Sequence, residues 1–202
     1  MDGDALSSLA LASLGLYGFV TLLGRTALQR LRERDSGWRG ISGRPGSLQW
    51  WAGVLLVVAV LALPLAVILP PAEPLVPRWR LLSGGVGFLL GFGFTLHAQL
   101  AMGRSWRIGV REGERTALRT DGPFRLCRNP VFTGMLASIA ALVLWVPWLA
   151  APWLLMLLAL ELQVRWVEEP HLRATHGEAY RTYAARTGRF VPGLGRGCDP
   201  LH

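Results

Sequence analysis

Two neighbouring carboxylates, Glu168 and Glu169, stand directly before Pro170 and follow an apolar stretch that contains Glu161. Carboxylates in the first turn of a helix offset the positive end of its dipole, and proline suits that turn. The same carboxylates could accept hydrogen bonds from hydroxyl or ammonium groups of a ligand. Arg165 lies four residues after Glu161 and four before Glu169, so ion pairs within one helix are the structural alternative.

A second polar segment, residues 120–130, leads into another apolar stretch. The sequence Asp-Gly-Pro at 121–123 is a turn signal, and Asn129 is disfavoured in a helix because Pro130 follows it. The helix of the fourth predicted span is therefore expected to start after Asn129. Its N-terminus would expose free backbone N–H groups to an anion, and Gly134 would permit a close approach one turn later. A well-formed turn beside membrane-flanking arginines is the structural alternative.

A third segment, residues 103–109, alternates basic and aromatic side chains. It could bind an anionic headgroup or a cofactor carboxylate, or it could anchor the chain at a membrane interface. No metal is predicted, because His171 and His176 lack a credible set of partners. Cys127 and Cys198 are too few for a disulfide scaffold or a zinc site.

The elements that position these segments are membrane helices. Only 17% of the 202 residues are charged, against about 25% in soluble domains. Long uncharged stretches alternate with arginine-rich ones, and a span of about 20 residues crosses a hydrocarbon core. The fold predicted is all-α, a polytopic membrane helical bundle in one domain, 1–202. The five transmembrane helices predicted are 5–24, 50–69, 81–102, 131–147 and 150–167, the last two forming a hairpin.

Glycines recur in the third predicted span. Gly87 and Gly91 form a GxxxG pattern, which predicts that this helix brings its backbone close to another helix. Glycines that are merely tolerated in a membrane helix are the alternative.

Orientation follows from the arginines. All 21 basic residues are arginine, and the stretches 25–49, 102–130 and 165–202 hold 19 of them. The positive-inside rule places these stretches in the cytoplasm, with the N-terminus outside and the C-terminus inside. The net charge of +8 is then explained by membrane topology, so no nucleic-acid partner is predicted. The localisation expected is the bacterial inner membrane.

In order, the sequences GRSWRIGV, GPFRLCRNPVFTG and EEPHLRATHGEAYRTY, followed by a nearby Val-Pro, resemble a family of membrane enzymes. These are the isoprenylcysteine carboxyl methyltransferases, with their phospholipid N-methyltransferase and thiol-methylating relatives. The resemblance covers about residues 99–192. One departure is Asn129, which stands where the family usually has histidine between arginine and proline. Asparagine donates and accepts hydrogen bonds but does not titrate.

The resemblance implies an S-adenosylmethionine-dependent methyltransferase with its active site on the cytoplasmic side. The acceptor implied is lipidic or small and hydrophobic, with a carboxylate, amine or thiol nucleophile. Glu168 or Glu169 would bind ribose hydroxyls or the amino group of the cofactor, Arg128 its carboxylate, and the tyrosines its adenine. The catalytic residues implied are Arg165, Asn129 and Glu169. The cofactor-binding residues implied are Gly122, Arg128, Asn129, Pro130, Gly134, Glu168, Glu169, Tyr180 and Tyr183.

Two other functions remain open from the sequence. A nicotinamide-dependent reductase is one, because sterol reductases have a similar C-terminal region, although they carry many more spans. A non-enzymatic lipid-binding protein is the other, in which arginines hold anionic headgroups. It would not bind S-adenosylmethionine and would tolerate Glu168→Gln. Membrane lipids are the expected partners, and no obligate protein partner is inferred.

Overall fold

The computed structural model describes residues 2–33, 40–70, 76–103 and 117–197. Within these ranges the chain forms eight α-helices and no β-strand, which confirms the all-α prediction. Cys198 and residues 104–109 of the third polar segment lie outside them. The helices are α1 (Gly3–Gly18), α2 (Arg25–Glu33), α3 (Leu48–Ile68), α4 (Arg78–Met102), α5 (Pro130–Val143), α6 (Ala150–Gln163), α7 (Glu169–His176) and α8 (Glu178–Arg186).

Two π-helical turns continue helices without a break. Phe19–Gly24 joins α1 to α2, and Val164–Glu168 joins α6 to α7. Four helical stretches of the described chain are therefore long and apolar enough to cross a membrane: Gly3–Leu31, Leu48–Ile68, Arg78–Met102 and Pro147–His176. The helix α5 has 14 residues, or about 21 Å at 1.5 Å per residue. A total of five membrane crossings stays a prediction.

Local sequence signals set where several helices begin. The Asp2 carboxylate accepts a hydrogen bond of 2.9 Å from the backbone N–H of Ala5, which caps α1. At the start of α3, the Ser47 hydroxyl caps the helix in the same way. The helix α5 begins at Pro130 after Asn129, whose φ of −124° is not helical. The break in helical conformation that the sequence indicates at Asn129 is present, and α5 begins one residue before the predicted span 131–147.

The helices α4 and α5 pack closely through their glycines. A Cβ atom on Gly91 would lie 2.6 Å from the backbone nitrogen of Ser138, and one on Gly87 would lie 2.9 Å from the Cβ of Ala141. Any side chain at Gly91 would therefore separate the two backbones. The predicted close approach of this helix to a neighbour is confirmed.

Tryptophan side chains bind the hairpin to its neighbours. The Trp145 indole donates a hydrogen bond of 3.0 Å to the Leu81 carbonyl on α4. On α6, Trp153 donates one of 2.9 Å to the Leu136 carbonyl on α5. Donors and acceptors inside an apolar environment need such partners, because water is excluded there.

The C-terminal segment lies beside the residues that precede α5. Backbone N–H groups of Arg128 and Asn129 donate to the carbonyls of Gly188 and Arg189, at 2.8 and 3.1 Å. A parallel bridge pairs Cys127 with Gly188. This segment brings residues from the end of the chain to the N-terminus of α5.

Candidate functional site

A cavity of about 640 Å³ lies between the helices, within the usual range of about 300–1,000 Å³ for ligand sites. Residues at the N-terminus of α5 and on α7 and α8 form its polar wall, and residues of α1, α3, α5 and α6 form its apolar wall. The polar wall comprises Arg128, Asn129, Glu168, Glu169, His171, Tyr180 and Tyr183. The apolar wall comprises Leu11, Leu14, Leu56, Val60, Leu63, Phe132, Met135 and Met156.

Most of the residues implied by the resemblance meet at this cavity. Seven of them line it: Arg128, Asn129, Pro130, Glu168, Glu169, Tyr180 and Tyr183. The structure does not bring Gly122, Gly134 or Arg165 to the cavity wall. Gly122 lies in an exposed turn with a φ of +54°. Gly134 lies against α4, where a Cβ would be 2.8 Å from the Thr95 backbone nitrogen.

Arg165 is mostly exposed. Its side chain retains 55% of its accessible surface and donates a hydrogen bond of 2.5 Å to Glu161, four residues earlier. The ion pair between these two residues, predicted as the structural alternative, is confirmed.

Arg128 is buried and almost fully engaged with the protein. One terminal nitrogen donates to the carbonyls of Ala184 and Thr187, at 2.9 and 3.1 Å. The other donates to the Glu169 carboxylate at 2.7 Å and to the Gly195 carbonyl at 2.9 Å. Only Nε finds no partner in the described part of the chain. The guanidinium thus fastens the N-terminus of α5 to α7, α8 and the C-terminal segment.

Glu169 is held by three arginines. Besides Arg128, the Arg189 guanidinium contacts both carboxylate oxygens, at 2.7 and 3.2 Å. Arg173 lies 3.6 Å away. Arg189 also donates to Glu161 at 3.0 Å, and its hydrogen bond with Glu169 raises the pKa of its guanidinium. We call these five residues the arginine–glutamate cluster.

Glu168 has different surroundings from its neighbour. It is partly buried at the cavity wall and makes no hydrogen bond or ion pair with the residues that the structure describes. Successive residues of a helix point about 100° apart, and Glu168 ends the π-helical turn while Glu169 begins α7. Of the two carboxylates, Glu168 is therefore the one available to a ligand.

The two tyrosines of α8 pack together, with ring centroids 6.2 Å apart. The Tyr183 hydroxyl donates a hydrogen bond of 2.7 Å to the Phe124 carbonyl. Burial raises the pKa of both phenols above the ordinary value, so both are neutral at physiological pH. Tyr180 is fully buried, so the ring of Tyr183, more than its hydroxyl, is left to contact a ligand.

Sequence reasoning missed two sets of residues. One is Arg189, for which the sequence shows only a place in an arginine-rich segment and no indication of a role in the site. Tyr17 and Gln99 also line the cavity; the Tyr17 hydroxyl lies 3.0 Å from that of Thr95, and Gln99 donates to the Thr21 carbonyl at 3.0 Å. Polar residues inside predicted spans were the available signal, because such residues usually face a partner or cavity.

A family model described as phospholipid methyltransferase matches residues 79–179, half of the chain. The matched region includes Arg128, Glu168 and Glu169. It excludes α1 to α3 and Arg189. Among curated proteins, none matches the chain.

Proposed function

The chain belongs to the phospholipid methyltransferase family, and on that premise we propose that it transfers a methyl group from S-adenosylmethionine to a lipidic or small hydrophobic acceptor. The proposed site of transfer is the cytoplasmic face of the membrane. Family membership and the four apolar helices indicate a methyltransferase that is integral to a membrane. A reductase or a non-enzymatic lipid-binding protein has less support.

One observation carries the proposal. A single cavity joins the polar wall to the apolar wall. A polar cofactor and a hydrophobic acceptor could therefore meet in one space. Binding sites that hold two reactants in a fixed orientation lower the barrier to their reaction.

The polar groups at the cavity fit the cofactor. Its ammonium and ribose hydroxyls need acceptors, and Glu168 offers a carboxylate without a protein partner in the described chain. Its carboxylate needs donors, and Arg119 and Arg128 each have an Nε atom without a partner among the described residues. The Tyr183 ring could lie against adenine. When bound, the cofactor supplies an activated methyl group.

The remaining polar residues position this site. The arginine–glutamate cluster joins α5, α6, α7 and the C-terminal segment, so Glu169 would act through the geometry that it maintains. Asn129 donates to the Arg189 carbonyl at 3.1 Å, which fixes its side chain at the cavity. An amine or thiol acceptor must lose a proton. His171 also lies on the polar wall, and its imidazole is the group proposed to receive that proton.

Calorimetry of the purified protein in detergent would test the proposal. Saturable binding of S-adenosylmethionine and of its demethylated product is expected. Glu168→Gln should weaken binding by about ten- to hundredfold, since it removes charge-assisted hydrogen bonds. The matched control is Glu178→Gln, because Glu178 is exposed and, among the residues that the structure describes, pairs with Arg181 on the surface. A flat titration of folded wild-type protein would contradict the proposal. Unchanged affinity in Glu168→Gln would contradict the assigned site.

A further inference from the structure

The π-helical turn between α6 and α7 changes which side chains face the cavity. In an α-helix, residues three or four apart share a face, so Val167 would share the face of Gln163. A π-helical turn takes in one more residue, and here the Glu169 backbone N–H donates to the Val164 carbonyl, five residues earlier. Gln163 and Glu168 therefore share a face. Both line the cavity, whereas Val167 does not.

The Gln163 side chain is buried without a partner. Only 7% of the residue is exposed, and its Oε1 atom finds no donor in the part of the chain that the structure describes. Its amide nitrogen makes no hydrogen bond with a described residue either, so no protein contact fixes which end of the amide faces the cavity. Leaving a buried amide unpaired is costly. A ligand is therefore expected to complete its hydrogen bonds.

Gln99 also lines the cavity, but its amide is arranged differently. Its Oε1 atom lacks a donor among the described residues, while its amide nitrogen donates to the Thr21 carbonyl at 3.0 Å. Gln99 thus offers a ligand an acceptor alone. Gln163 offers a donor and an acceptor side by side.

The edge of an adenine ring is complementary to such an amide. Its exocyclic amine donates and its ring nitrogen N7 accepts, and a glutamine amide pairs with both at once where proteins read adenine in nucleic acids. Hydroxyl and ammonium groups favour Glu168, because hydrogen bonds to a charged carboxylate are stronger. Met156 lies seven residues before Gln163 on the same helix face and lines the cavity. Its side chain adds apolar surface for the flat base.

From these observations we infer that Gln163 binds the amine and N7 of the cofactor's adenine and determines the base specificity of the site. Glu168, one turn further along the same face, then takes the ribose hydroxyls or the ammonium group. Hypoxanthine carries a carbonyl oxygen where adenine carries its amine, so it would leave the Gln163 oxygen opposite another acceptor. The inference rests on the proposed function and adds a selectivity that cofactor binding alone does not require.

Calorimetry with two ligands tests the inference. One is S-adenosylhomocysteine, the demethylated product, and the other is its hypoxanthine analogue, S-inosylhomocysteine. The wild type should bind the adenine ligand about ten- to hundredfold more tightly, the range for one bidentate pair of an amide with a base. Gln163→Met has a side chain of similar length without either polar atom, so it should bind both ligands with nearly equal affinity. Glu168→Gln should weaken both ligands and keep their ratio.

Gln29→Met is the matched control, because Gln29 is also a buried helical glutamine but does not line the cavity. It should keep the wild-type ratio of affinities. Thermal unfolding without ligand separates recognition from structure. Gln163→Met removes an unpaired buried polar group, so its midpoint should equal or exceed that of the wild type. A lower midpoint with an unchanged ratio would return Gln163 to a structural role.

Three further results would overturn the inference and leave the proposed function standing. These are equal affinity of the wild type for the two ligands, selectivity that Gln163→Met retains, and selectivity that is lost in Gln99→Met instead. Absence of binding of either ligand by the folded wild type would overturn the proposed function itself.

Discussion

Arg128 donates a hydrogen bond of 2.7 Å to Glu169, although 41 residues separate them in the chain. Both side chains are almost fully buried, at 2% and 4% exposure. The pair connects the N-terminus of α5 to the N-terminus of α7, and Arg189 adds the C-terminal segment through the same carboxylate. The two adjacent glutamates therefore divide two tasks, since Glu169 maintains this junction and Glu168 lies at the cavity.

Glu169→Gln should reduce stability strongly. The change leaves Arg128 and Arg189 buried beside a neutral amide, and breaking a buried ion pair from one side costs about 3–5 kcal/mol. We expect about 3 kcal/mol, because the amide oxygen of glutamine still accepts a hydrogen bond. The free energy of unfolding in detergent micelles would measure it. The Glu168→Gln variant, prepared and measured in the same way, should have nearly the same free energy of unfolding as the wild type. Equal losses from both variants would contradict the division of tasks.

Gly91→Ala should weaken the packing of α4 on α5. The added methyl group would lie 2.6 Å from the backbone nitrogen of Ser138, which cannot move without moving α5. Overpacking of this kind costs about 1–3 kcal/mol. Gly93→Ala, two residues further along the same helix, adds its methyl group to open space and should stabilise the helix by about 0.5–1 kcal/mol. Thermal unfolding of both variants would separate helix packing from the general effect of replacing glycine.

Regular patterns along the chain were enough to predict the helices and one of their contacts. A long uncharged stretch lies within a single helix, and the proline at 130 and the spacing of Gly87 and Gly91 act over one or two helical turns. The physical cause in each case is local: hydrophobicity, a missing N–H group, or a missing side chain. For this reason these features could be read from sequence.

The ion pairs between residues far apart in the chain could not be assigned in the same way, unlike the pair of Glu161 with Arg165, four residues apart. All 21 basic residues are arginine, so charge type does not identify Arg189 as the partner of Glu169. The different surroundings of Glu168 and Glu169 depend on the π-helical turn Val164–Glu168. The sequence gives no signal for that turn. Partner choice across 20 or more residues depends on how helices pack, which hydrophobic periodicity leaves open.

Cys127 should react slowly with maleimides while the protein is folded. The side chain is buried, and burial raises the pKa of its thiol, although a contact of 3.4 Å with the Thr133 hydroxyl acts in the opposite direction. A raised pKa means less reactive thiolate at any given pH. In a Cys198→Ser background, the rate should begin to rise only above the ordinary range near about 8.5. Unfolding in SDS should remove the protection. A fast reaction at neutral pH in the folded protein would contradict the buried placement of this thiol.

Opposite accessibility of two loops should reveal the orientation of the chain. The turn Pro147–Leu149 lies between the two helices of the hairpin and carries no arginine, whereas the segment before α5 is rich in arginine. The positive-inside rule therefore places the turn outside and the segment in the cytoplasm. Trp148 and Thr120 are both exposed, so cysteine at either position should be reachable by an impermeant maleimide. In a background without Cys127 and Cys198, intact cells should label Trp148→Cys, and Thr120→Cys should need permeabilised cells. Labelling of both cysteines from the same side of the membrane would contradict the predicted number of spans. Labelling of Thr120→Cys in intact cells, with Trp148→Cys protected, would reverse the orientation and move the proposed site to the opposite face.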